Sequence, residues 1–130
     1  MSKKIELSFG SFELYDHYIV GIINEGEDLR SKENQDLINL CSKHYVDSHF
    51  GYISYRTNSY SVDPTVYMET SKLENLVAIA VVISEPAQKL SANIEKIFFD
   101  KPFEYFDSLK EAQRWIHNIV VLTNQQEKIR

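Results

Sequence analysis

The sequence predicts an α/β fold, a mixed sheet that begins as an antiparallel hairpin and carries helices packed against it. Three observations predict it. Positions 5–14 alternate apolar with polar residues as half-buried antiparallel strands do, and the period changes to helical spacing from about Ser31. "LVAIAVVI" at 76–83 is apolar on both faces, as is a strand covered by helices on each side.

The elements follow in order. Ile5, Leu7 and Phe9 alternate with polar residues, Gly10-Ser11 offers glycine-first turn chemistry, and Phe12 and Leu14 resume the alternation, which predicts a hairpin. A second reversal at Asp16-His17 leads into "YIVGIIN", whose β-branched content favours a strand, and "EGEDLRSKEN" breaks the pattern. Leu37, Ile38, Cys41 and Tyr45 then form one helical stripe, and "FGYISYR" at 50–56 returns to strand alternation. Asp63-Pro64 opens a short helix that runs to about Lys72, with the aspartate capping free amides and the proline at the first helical position. The apolar strand at 76–83 is expected in the middle of the sheet. After Ser84 and Pro86, the stripe Leu90, Ile94, Ile97 and Phe98 predicts a helix of three to four turns with that stripe against the core. "FEYF" at 103–106 is a short strand. Ser108 and Glu111 have capping-box spacing before a last helix with the stripe Leu109, Ala112, Ile116 and Ile119.

Composition narrows the function classes. The 130 residues, 43% hydrophobic and 25% charged, predict one domain spanning 1–130. The longest apolar run is far short of the ~18 residues that a bilayer span needs, so no membrane span is expected. The opening "MSKKIELSFG" alternates rather than forming an apolar leader, and Cys41 is the only cysteine, which together predict a cytoplasmic protein without disulfides. Net charge is −5, from 19 acidic and 14 scattered basic residues, which argues against a nucleic-acid partner. No glycine-rich phosphate loop and no Gly-x-Ser-x-Gly elbow occur, so no enzyme and no cofactor are predicted.

The carboxyl-terminal half, "LVAIAVVISEPAQKLSANIEKIFFDKPFEYFDSLKEAQRWIHN", resembles the SpoIIAA-like family of STAS/SEC14-type domains. Members of that family end with an apolar strand, an amphipathic helix, a short strand and a helix of the form acidic-x-x-x-x-Ala-x-x-Trp, matched here by Asp107, Ala112 and Trp115. The resemblance extends more loosely to the first strands and helix. It implies a SpoIIAA-like topology and a small non-enzymatic regulatory or protein-interaction module. The alternative that it implies is SEC14-like binding of a small amphipathic or anionic, lipid-like ligand. A protein partner, such a ligand and a homodimer are the partner classes considered.

"SYRTNSYSVDP" at 54–64 is the candidate site, with Arg56, Asn58, Ser59, Tyr60, Ser61 and Asp63 as its residues. STAS domains present a phosphorylatable serine to a partner kinase at this place. Here Asn58-Ser59-Tyr60-Ser61 replaces the family's Asp-Ser-Ser-Gly type of sequence, so a phosphoserine does not carry over by motif. Two readings apply. Arg56, the hydroxyls and the free amides of the following helix form a crevice for an anion at the end of a strand, or the same residues satisfy a turn and cap a helix. His17, His44, His49 and His117 lack metal-ligand spacing, and "NEGED" at 24–28 lacks the ligand order of a calcium loop, so no metal is predicted. Cys41 reads as a buried thiol and Trp115 as a packing residue.

Overall fold

The computed structural model describes residues 2–129. Its elements are β1 (Lys3–Leu7), β2 (Gly10–Leu14), β3 (Tyr18–Ile23), β4 (Asp28–Leu29), α1 (Ser31–His44), β5 (Phe50–Tyr55), β6 (Ser61–Val62), α2 (Val66–Thr70), β7 (Leu76–Val82), α3 (Pro86–Ile97), β8 (Phe103–Phe106) and α4 (Leu109–Ile129). Six strands form one sheet in the order β1-β2-β3-β5-β7-β8. The first three are antiparallel, and β3, β5, β7 and β8 are parallel, so the mixed sheet is as expected.

The first hairpin turns at Ser8-Phe9, two residues before the expected Gly10-Ser11, because Leu7 pairs with Gly10. The Phe9 ring is buried, which draws the reversal onto it. Gly10 has a different task, since a Cβ there would lie 2.6 Å from the Ile22 carbonyl oxygen of the neighbouring β3. β4 and β6 lie in segments read as loops. They pair in parallel with each other, Asp28 opposite Ser61 and Leu29 opposite Val62, and two residues are too few to show a period.

β7 is interior, as predicted, but it stands one strand in from the β8 edge rather than in the middle. Burial on both faces depends on helices above and below, not on central rank. On one face Phe12, Ile19, Phe50, Ile79 and Phe103 pack under α1, α2 and α3, and on the other Val20, Ile53, Ala78 and Ala80 meet Ala112, Ile116 and Val120 of α4. Ala112 and Ile116 of the expected α4 stripe are buried, joined by Val120, while Leu109 and Ile119 are half-buried at the margin of that contact. Trp115 is half-buried, with its ring centroid 5.5 Å from that of Phe106. Small side chains let α4 lie close to the sheet. A Cβ on Gly51 would lie 2.4 Å from Ile116 Cγ2, so Gly51→Ala is expected to lower stability by about 1–3 kcal/mol through overpacking, read as a lower urea midpoint at unchanged slope.

The largest departure from the sequence reading is α3. Leu90 and Ile97 are 67% and 78% exposed, Ile94 is exposed too, and Phe98 is half-buried. The buried face consists of Ala92 and Glu95, half a turn around the helix from the apolar stripe. A charged group has displaced the apolar stripe from the core, and its partner explains why.

Candidate functional site

That partner is Arg56, the first residue past the carboxyl end of β5. Its side chain passes under α3, where Arg56 is 4% exposed and Glu95 3%. Nη1 donates to Glu95 Oε2 at 2.7 Å, Nη2 donates to Glu95 Oε1, and Nε donates to Ser54 Oγ at 3.1 Å. The Tyr67 hydroxyl donates to Glu95 Oε1 and accepts from Arg56 Nη2. Ser54 Oγ also shares a hydrogen bond with the Tyr60 hydroxyl at 3.1 Å, and the Arg56 guanidinium lies 5.8 Å from the Tyr60 ring centroid. The geometry is bidentate and fully partnered, the condition under which a buried ion pair is tolerated.

The electrostatics follow from burial. Desolvation acts to lower the Arg56 pKa, but the hydrogen bond to Glu95 and the surrounding tyrosine and carboxylate charges outweigh it and hold the group well above its ordinary value. Desolvation, with the Glu95 charge next in size, raises the Tyr67 hydroxyl well above its ordinary value. Arg56 therefore carries its charge at every physiological pH, and Glu95 already meets that charge. An anion held by a free Arg56 is not the arrangement found.

The remaining candidate residues take separate places. Asn58 Nδ2 donates to the Ile23 carbonyl at 2.8 Å, and the Ser59 amide donates to Glu25 Oε1 at 2.9 Å. Ser61 lies in β6 with its side chain exposed. Asp63 Oδ1 accepts from the Thr65 amide and hydroxyl, at 3.1 and 2.7 Å, and these bonds, the hydroxyl's first, hold its carboxyl below the ordinary range. Asp63 therefore holds a turn onto Thr65 rather than the helix cap expected of it, because Pro64 and Thr65 form a turn and the helix begins at Val66, with Thr65 at its N-cap and no side-chain cap hydrogen bond.

What the structure brings together is a cleft. Arg56, Asn58, Ser59, Tyr60 and Ser61 line one wall, and Ala87, Gln88, Ser91 and Ile94 of α3 form the other, enclosing about 460 Å³. The Arg56–Glu95 pair is its floor. Five of the six candidate residues thus share one opening, and Asp63 lies between two further lining residues, Val62 and Pro64. A second, enclosed cavity under α1 and α2 is apolar but measures only about 30 Å³. It has room for a solvent molecule or two and none for an acyl chain.

The sequence reading missed Glu95, Tyr67 and Ser54. A usable signal existed for Glu95: an arginine at the end of an interior strand demands a carboxylate, and Gln88, Ala92, Glu95 and Phe99 repeat at helical spacing. Among the described residues, no group of three histidine, cysteine or carboxylate side chains is placed to hold a metal ion. The Cys41 thiol is buried, and desolvation pushes its pKa up to about 12. It should resist Ellman's reagent at pH 8 in the folded protein and react fully in denaturant; rapid reaction without denaturant would contradict this placement.

No protein-family model matches the chain, and no curated protein matches it. Among solved structures, the chain is similar to an uncharacterized protein from the DUF3478 family with a SpoIIAA-like fold, from Shewanella loihica PV-4. The two share 9% identity and a TM-score of 0.53, over 89% of this chain and 92% of that one. At that identity the likeness bears on architecture alone, and it agrees with the antiparallel start, the parallel run and the helices on both faces. The chain has a SpoIIAA-like fold.

Proposed function

We propose that this chain is a non-enzymatic regulatory or protein-interaction module that engages its partner at the cleft between residues 56–64 and α3. The observation that carries this reading is the orientation of α3. Of the six large apolar side chains that stand exposed among the described residues, Leu90, Ile94 and Ile97 share one face of α3 and Met68 stands on α2; Ile94 lines the cleft, while Met68 and Ile97 line a second opening with Phe98. Exposed apolar groups concentrated in one region mark interaction surfaces, whereas scattered ones do not. The buried Arg56–Glu95 pair supports the same reading, because it fixes α3 with that stripe outward.

A small amphipathic or anionic ligand in the same cleft is the second reading. The cleft's volume lies within the ~300–1,000 Å³ of ligand sites, and its lining mixes hydroxyl, amide and apolar groups. Against it stand the neutralised Arg56 and the small size of the enclosed apolar cavity. Native mass spectrometry of freshly purified chain separates the two. Retention of a second polypeptide supports the first reading, while retention of a stoichiometric small molecule replaces it with the second.

A further inference from the structure

The cleft has a strand for one wall, and that strand has a free edge. β6 pairs with β4 through the Ser61 and Asp63 amides, which donate to the Glu27 and Leu29 carbonyls at 2.9 and 3.0 Å. Backbone groups alternate in direction along a strand, so the N–H and C=O groups of Tyr60 and Val62 point away from β4. Among the described residues they make no hydrogen bond. Tyr60, Ser61 and Val62 line the cleft, and α3 stands across from them.

We infer that the cleft takes an extended peptide segment of a partner protein, added as a further strand along the free edge of β6 and covered by α3. This rests on the reading of the cleft as a protein-interaction site and names what occupies it. The two walls divide the recognition. The Tyr60 and Val62 backbones offer two donors and two acceptors at strand spacing, which bind any sequence, while Ala87, Ser91 and Ile94 on one flank of α3 meet the side chains. Ala87 and Ser91 are small enough for a backbone to pass close by, and Ile94 supplies an apolar contact.

Charge narrows the segment further. Arg56 and Glu95 neutralise each other at the floor, which leaves Glu85 as the remaining charged side chain in the lining. Glu25, against Ser59, and Asp63, next to Val62, are exposed and add negative charge to the same rim. The complement is an extended segment flanked by lysine or arginine. A second copy of this chain fits less well, because its own β6 edge is recessed behind its own α3. The outer edge of β1 is a poorer template, since Lys3 and Lys4 blunt it.

The test is a selection of peptides from a random dodecapeptide library on the immobilised full chain, followed by anisotropy titration of the selected peptide. Ser91→Trp fills the cleft at an exposed helix position, and Val62→Pro removes an edge donor that the fold does not use. Each is expected to weaken binding by about tenfold or more, the equivalent of one or two lost hydrogen bonds. Amide exchange at Tyr60 and Val62 is expected to slow in the complex. Should Val62→Pro unfold by circular dichroism, the same peptide N-methylated on alternate amides takes its place, since it keeps the side chains and loses the ladder. Failure to select any peptide, or binding without slowed exchange at Tyr60 and Val62, overturns the inference. Loss with Ser91→Trp but not with Val62→Pro or N-methylation overturns strand addition and leaves the interaction cleft standing. Full binding by both variants overturns both.

Discussion

Glu95→Ala is expected to destabilise the protein by about 3–5 kcal/mol, because it leaves the Arg56 guanidinium buried without a counter-charge. Three hydrogen bonds are lost with the carboxylate, two from Arg56 and one from the Tyr67 hydroxyl. The folded state can respond only by letting water in or by moving α3, and both expose core. For a chain of this length the loss corresponds to a fall in Tm of more than about 10 °C. Replacing both partners, as in Arg56→Met with Glu95→Leu, is expected to restore most of the stability, since two apolar groups need no solvation in that space. A single variant with an unchanged melting curve would show that the pair is not closed in solution. A double variant no better than the single one would place the cost in packing rather than in charge.

Ile79→Asp is the second large effect. Ile79 is fully buried on β7, opposite Tyr52 of β5 and Phe103 of β8, so a carboxylate there has no water and no partner. The expected loss exceeds about 4 kcal/mol, a large share of the ~5–15 kcal/mol that holds a domain together. Leu90→Asp is the matched comparison. The sequence presents Ile79 in a strand apolar on both faces and Leu90 in a helical apolar stripe, yet Leu90 faces solvent and its replacement is expected to change stability by no more than ~0.5 kcal/mol. Equal losses at the two positions would mean that α3 packs by its apolar face after all.

The contrast between those two residues shows how much the sequence disclosed. Strand and helix order was legible because the periods of β1, β2, α1 and α4 report which groups must leave water, the β-branched residues of β3 favour a strand, and the both-sided apolar run of β7 reports helices on both faces. β4 and β6 were not legible, because their only cause is pairing with each other across more than thirty residues. The orientation of α3 failed for a related reason. Periodicity finds the apolar face of a helix, but a distant arginine, itself held by the end of β5, decided which face turned inward. The candidate segment 54–64 was found by its density of hydroxyls. Its composition could not tell that Arg56 turns under α3 while the backbone groups of Tyr60 and Val62 stay unpaired.

A chain that meets a protein partner at the cleft between residues 56–64 and α3 brings that partner within reach of the cleft's own side chains. Site-specific photo-crosslinking tests it most directly, with the reactive side chain placed at position 91 inside the cleft and, as the control, at position 122, an exposed site on α4 across the sheet. A polypeptide adduct of defined mass is expected from position 91 and none from position 122 in cells that express the full chain. Identical adducts from both positions, or none from position 91 while a small molecule remains bound to the purified chain, would contradict it.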